Sequence, residues 1–166
     1  MKYCKRVLSF VIVAVLLFST FAIPASAASD TWVGRFQKFP TLKTGTSYYA
    51  YVKALQTFLL VFSADTKALI LEGGGVDGDY GSKTKEAVQK FQAEYYPNDT
   101  NQWDGITGKG TWGCVAVWLE HIWISSTVSH FCGYGQNIYR AVQTGTTQFS
   151  YYYQSAAGSW LVFRQE

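Results

Sequence analysis

Apolar positions along this chain fall into two textures. Val52, Leu55, Leu59 and Phe62 recur at spacings of three, four and three, which is one helical face. Thr46 or Ser47 stands where a helix cap belongs. Ala87, Val88, Phe91 and Tyr95 form the stripe of a second helix over about 82–95, ended by Pro97-Asn98-Asp99. Val115, Trp118 or Leu119, and Ile122 supply the face of a third over about 111–123. The stretch 63–76 between the first two reads as a connection, longer than helix pairs usually need, with an apolar patch and then Gly73-Gly74-Gly75. Beyond Ser125 the period changes. Residues 126–131, 137–143, 147–154 and 160–164 are aromatic and β-branched, with Gly and Ser clusters between them. They read as an antiparallel meander of three or four strands. The fold class expected is therefore α+β.

The first 27 residues have the grammar of an export signal. Lys2, Lys5 and Arg6 precede a largely apolar run over 7–23, and Ala25-Ser26-Ala27 offers a cleavage site. The alternative, a membrane anchor, is weakened by the shortness of the run and the immediate cleavage site. Cleavage changes the charge argument. The three basic residues lost account for the formal +3, leaving eleven basic against eleven acidic residues. A near-neutral chain has no general pull on nucleic acid or anionic lipid. Neither a nucleic-acid partner nor stable membrane insertion after cleavage is expected, and the localisation expected is secreted. The divisions that follow are 1–27 signal peptide, 28–39 lead-in with Trp32, Phe36 and Phe39 as packing residues, 40–124 helical domain, and 125–166 aromatic-rich β tail.

Cys114 and Cys132 remain after cleavage, and in an oxidising compartment a single disulfide is the default. It would close a loop of about 18 residues, worth roughly 3 kcal/mol in the chain-entropy model.

One pattern is written twice. Asp77-Gly78-Asp79-Tyr80-Gly81-Ser82-Lys83-Thr84 and Asp104-Gly105-Ile106-Thr107-Gly108-Lys109-Gly110-Thr111 both read D-G-x-x-G-x-x-T. Asp-Gly asks for a tight turn, and a Thr three residues after the second Gly falls in the first turn of a helix. Two similar loop-to-helix junctions follow.

The ordered set Pro40-x-Leu42-x-x-Gly45, Val52-x-x-Leu55-Gln56-x-x-Leu59, Gly78-Asp79-Tyr80-Gly81-x-x-Thr84-x-x-Ala87-Val88-x-x-Phe91-Gln92 and Asp104-Gly105-Ile106-Thr107-Gly108-x-x-Thr111-Trp112 resembles the bacterial peptidoglycan-binding domain family. This is the three-helix type found appended to cell-wall amidases and carboxypeptidases. The resemblance implies a three-helix domain that docks on the cell wall, so the localisation expected is secreted and associated with a cell wall. It covers close to half the chain. The connection 63–76 and the stretch 95–103 are longer than the family pattern, and the tail has no counterpart in it.

A non-catalytic reader of peptidoglycan needs neutral hydrogen-bonding groups, an aromatic wall and free backbone N–H groups. The candidate lining is Tyr80, Thr84, Gln92, Trp103, Asp104, Thr107 and Trp112. Several positions also have a structural alternative: a helix-start hydroxyl for Thr84 and Thr111, a turn-forming carboxylate for Asp77 and Asp104, and a helix-to-loop bond for Gln56 and Gln92. Trp112 is equally suited to core or groove wall.

Catalytic chemistry finds poor material. Cys114, His121, His130 and Cys132 fit no common zinc spacing, so no metal or cofactor is expected. Glu120 and Glu166 are the acids after Asp104, too few for a paired-carboxylate glycosidase in the tail. The reading is a secreted peptidoglycan-binding module with a β tail that offers a second glycan or protein contact through Tyr151, Tyr152, Tyr153, Trp160 and Phe163. Alternate strand residues face opposite sides, so Tyr152 should oppose Tyr151 and Tyr153. The alternatives are a small wall hydrolase with the tail as active site, with Cys132 and His130 or His121 as its pair, and a secreted regulator that binds a cell-wall enzyme.

Overall fold

The computed structural model describes residues 32–146 and 148–165. The expected signal peptide lies outside the described residues.

The lead-in is a short helix, α1 (Trp32–Phe36). Helix α2 (Tyr49–Phe62) carries the first predicted stripe, and its buried residues include Val52, Leu55, Leu59 and Phe62. Its cap differs from the expectation: Tyr48 precedes it and makes no side-chain cap bond. The connection 63–76 is not a plain loop. It contains a helix, α3 (Ala64–Glu72), begun by a capping box in which the Ser63 hydroxyl accepts from Thr66 N and the Thr66 hydroxyl accepts from Ser63 N. The second predicted helix is α4 (Ser82–Tyr95) and the third is α5 (Lys109–Trp118). Helix α5 stops five residues short of its predicted end because Glu120–Ser125 pairs as a strand. Ile122 therefore belongs to a sheet, and not to a helical stripe.

The tail is one antiparallel sheet of five strands in sequence order: β1 (Glu120–Ser125), β2 (Val128–Gly133), β3 (Gln136–Gln143), β4 (Phe149–Gln154) and β5 (Trp160–Gln165). Every connection is a hairpin between neighbours. Phe131 lies opposite Tyr139, which lies opposite Tyr153. These side chains share a buried face with Ala141 and Tyr151. A bulge between Tyr151 and Tyr152 lets Phe163 join them. The opposite face carries the row Ile122, His130, Arg140, Tyr152 and Val162. Tyr152 does oppose its two neighbours: Tyr151 and Tyr153 are buried while Tyr152 is half-buried.

The buried face rests on α2, where β3, β4 and β5 make their helix contacts. Phe39, just past α1, sits among the rings of Trp112, Tyr151 and Phe163, with centroids 5.2–5.5 Å apart and near edge-on. Phe36 reaches Phe131 and Tyr139 in the same slab. The lead-in thus wedges between helices and sheet, which fits its three aromatic residues. Tyr139 Oη donates to the α2 carbonyl of Ala54 at 2.7 Å in full burial. Burial without a charged partner pushes the Tyr139 phenol well above its ordinary pKa, so it stays a donor. Among the described residues no helix is long and apolar enough to cross a membrane.

Tyr139→Phe removes one buried bond and leaves the Ala54 carbonyl with its helical partner alone. The expected cost is about 1 kcal/mol, read as a drop of a few degrees in the thermal midpoint with secondary structure unchanged. An unaltered midpoint would mean that the ring alone joins sheet to helix.

Candidate functional site

Both Asp-Gly turns are built the same way, atom for atom. Gly78 and Gly105 have φ of +87° and +68°. A side chain at Gly105 would also meet Lys85 Cγ at 2.6 Å, so conformation and space both require glycine there. At the first turn, Gln56 Nε2 donates to Asp77 Oδ1 (2.7 Å), the Asp79 carbonyl (3.0 Å) and Thr84 Oγ1 (3.1 Å), and its Oε1 accepts from Gly78 N (2.9 Å). At the second, Gln92 Nε2 donates to Asp104 Oδ1 (2.9 Å), the Ile106 carbonyl (3.0 Å) and Thr111 Oγ1 (3.2 Å), and its Oε1 accepts from Gly105 N (2.9 Å). Asp77 Oδ1 also accepts from Asp79 N, as Asp104 Oδ1 does from Ile106 N. Each threonine hydroxyl then donates to the carbonyl its glutamine already holds. Gln56 on α2 thereby clamps the turn after α3 and the start of α4, and Gln92 on α4 clamps the turn that follows it and the start of α5.

A third set of bonds joins the two turns. Tyr80, from the first, sends its hydroxyl to the Gly105 carbonyl and to Thr107 Oγ1, each at 3.0 Å. Thr107 exchanges both backbone bonds with Leu42, which ties the Pro40–Gly45 strap to the second turn. Burial holds the Tyr80 phenol well above its ordinary pKa, outweighing the lowering effect of Thr107.

Tyr80 is brought to Thr107, and Gln92 to Asp104, while Thr84, Trp103 and Trp112 find other partners; most of the seven serve as framework. Tyr80, Thr107 and Trp112 are at most 1% exposed, and Thr84 and Gln92 no more than 4%. Trp112 Nε1 donates to the Pro40 carbonyl, which makes it core. Trp103 is half-buried, its Nε1 bonded to the Tyr96 carbonyl. Asp104 is exposed and borders open space. That space is a shallow pocket of about 220 Å³ lined by Lys43, Thr44, Lys85, Asp104, Gly105 and Ile106. Sequence reasoning did not select Lys43, Thr44 or Lys85. No local signal marked Lys85: the motif threonine before it anchors the first turn, while Lys85 itself lies beside Gly105 of the second.

The outer face of the sheet carries a second, half-buried cluster. Arg140 lies over Tyr152 and Trp160, 5.4 and 5.8 Å from the ring centroids, and His130 sits 5.3 Å from Trp160. Arg140 Nε has no hydrogen-bond partner among the described residues. Of the five aromatic residues expected to offer a contact, Tyr151, Tyr153 and Phe163 are buried, leaving Tyr152 and Trp160.

The cysteines are not joined. Cys114 and Cys132 are both free, which corrects the expected disulfide. Cys114 faces Tyr96 Oη at 3.1 Å, whereas Cys132, on β2, donates to Asn137 Oδ1 at 3.0 Å. His130 Nδ1 meets that same Asn137 oxygen at 3.1 Å, so the amide stands between imidazole and thiol. Burial and then the Glu120 charge push the Cys132 thiol up from its ordinary pKa, the opposite of what an activated nucleophile requires. His121 is packed among the rings of Trp32, Trp123 and Phe131, and burial lowers its pKa. Among the described residues no three His, Cys, Asp or Glu gather to hold a metal ion.

Residues 49–114 match the family model described as a putative peptidoglycan binding domain. This is the family that the doubled motif resembled. The matched span runs from α2 into α5 and contains both glutamine clamps. It supports peptidoglycan binding by this part of the chain. Over 107 residues the chain is 35% identical to the type VI secretion system spike protein VgrG3 of Vibrio cholerae serotype O1. That alignment covers 60% of this chain and 9% of the relative's length. No solved structure matches the chain.

Gln56→Ala and Gln92→Ala should each cost about 3 kcal/mol, because each strands a buried glycine N–H and several acceptors at once. Urea unfolding of both variants checks this. Costs that differ by more than about 2 kcal/mol would show that the two clamps are not equivalent in function.

Proposed function

We propose that this chain is a secreted, non-catalytic module that binds bacterial cell-wall peptidoglycan. The observation that carries the reading is the family match over 49–114, set on a frame whose two motif turns are fixed by complete hydrogen-bond sets. A rigid loop surface loses little entropy on binding, which suits a module that must recognise a repeating polymer.

The wall contact is assigned to the pocket over the second turn. Lys43 and Lys85 supply two ammonium groups there, and Asp104 supplies a carboxylate acceptor. Among the described residues the ion pairs join Lys83 to Glu72 and Glu86, so neither pocket lysine is neutralised by one. Peptidoglycan offers carboxylates, amides and hydroxyls, and this mixture of charge and backbone matches them. The outer sheet face adds the second contact. Tyr152 and Trp160 provide ring faces for a sugar, with Arg140 and His130 beside them to meet its oxygens.

Sedimentation with purified insoluble walls tests the reading. The protein should pellet with the wall and release no soluble fragments. Lys43→Glu combined with Lys85→Glu should weaken pelleting about tenfold or more, since each position reverses a charge at the contact. Trp160→Ala should weaken it by a smaller factor. Fragment release abolished by Cys132→Ala would overturn the non-catalytic reading in favour of a hydrolase. Failure of the wild type to pellet would overturn the wall-binding reading itself.

A further inference from the structure

A larger cavity lies away from the two turns. It is an open groove of about 460 Å³ where α2 and α3 face the β2–β3 and β4–β5 turns. Both walls come from parts of the chain that depart from the family pattern. One is α3, which fills the long 63–76 connection, and the other is the sheet, which lies beyond the matched span.

The groove combines apolar and amide side chains. Leu60, Val61, Leu71 and Val76 give it an apolar floor. Gln136, Asn137 and Gln154 give it an amide wall. The Asn137 oxygen is already held by the Cys132 thiol and by His130, which fixes the amide and leaves its two N–H donors without a hydrogen bond among the described residues. Gln154 Nε2 makes one long bond to the Gly158 carbonyl at 3.4 Å, and its own carbonyl oxygen accepts nothing among the described residues. Lys67 is the charged residue of the lining, and it is in none of the ion pairs described. The Ser63–Thr66 capping box, with the Thr66 hydroxyl also bonded to the Leu59 carbonyl, holds the helix that presents Lys67 and Leu71. No aromatic residue lines the groove. That absence of a stacking surface separates it from the ring-bearing outer sheet face and disfavours a sugar.

We infer that this groove binds the peptide stem of the wall polymer, an acyl-amino acid chain with a free carboxylate. The carboxylate pairs with Lys67. The peptide amides meet the N–H groups of Asn137 and the side chains of Gln136 and Gln154. Small aliphatic side chains cover the apolar floor. A cavity of this volume is in the range that takes small ligands. The inference rests on the wall-binding reading for the identity of the polymer and on nothing else in it. The chain thereby holds two chemically distinct parts of the wall, peptide in the groove and glycan on the sheet.

Calorimetric titration of the whole exported protein with an N-acylated soluble stem tetrapeptide tests this. Saturable binding is expected. Lys67→Glu and Leu71→Glu should each weaken it about tenfold, and so should amidation of the peptide's terminal carboxylate. Lys90→Glu, at an exposed position that lines neither cavity, should leave it unchanged. Both groove positions are exposed, so the variants should keep the wild-type thermal midpoint. No saturable binding at millimolar peptide, or wild-type affinity in both groove variants, overturns the inference. Wall sedimentation separates the two readings. Pelleting without peptide binding removes the groove alone. Peptide binding without pelleting removes the intact-wall reading and leaves the groove.

Discussion

A primary amide carries donors and an acceptor on one rigid plane, and the helical half of this protein depends on two of them. Gln56 and Gln92 each satisfy a glycine N–H, an aspartate, a carbonyl and a threonine hydroxyl from inside a helix. A tight turn leaves backbone groups that water cannot reach once helices close over them, and a buried group without a partner is expensive. One amide answers that problem at each turn. It also explains why the sequence needs Asp-Gly and a later Thr at fixed offsets. Each is an atom the glutamine must find. The Tyr80 hydroxyl then locks one solved turn to the other.

The sheet is attached by a different kind of force. Its inner face is a slab of rings that meets α2 and the lead-in edge-on, with Phe39 and Phe163 at the centre. Dispersion and burial dominate there, and the directional contact from Tyr139 to Ala54 helps to set position. The outer sheet face carries Arg140, Tyr152 and Trp160, packed on one another. The groove lies where α2 and α3 face the β2–β3 and β4–β5 turns at one end of the sheet.

Much of the architecture was legible. The stripe 52–62 and the run ending at Pro97 define two helices because period and terminator agree. The four tail segments define strands because aromatic and β-branched residues alternate between turn residues. Three misreadings have physical causes. The apolar patch in 63–76 was too short for periodicity to declare a helix, yet Ser63 and Thr66 could cap one. Ile122 continued the α5 stripe by coincidence of spacing, while its cross-strand partner His130 decided for a sheet. Cys114 and Cys132 are close enough in sequence for a bridge, but strand pairing points Cys132 at Asn137 and helix packing points Cys114 at Tyr96.

The sequence by itself determined the two motif turns, the helices they begin and the meander, because each is specified by residues near one another in the chain. Which polar groups remained available for a ligand was decided only by the tertiary structure. Tyr80, Thr84, Gln92 and Thr107 have the right chemistry for recognition, but hydrogen-bond capacity is finite, and closure of the helices spent theirs on the backbone. Lys43, Lys85 and Lys67 look like ordinary surface charges in the sequence. They stand beside cavities because the strap, the extra helix and the sheet turns meet there, and no local pattern encodes that meeting.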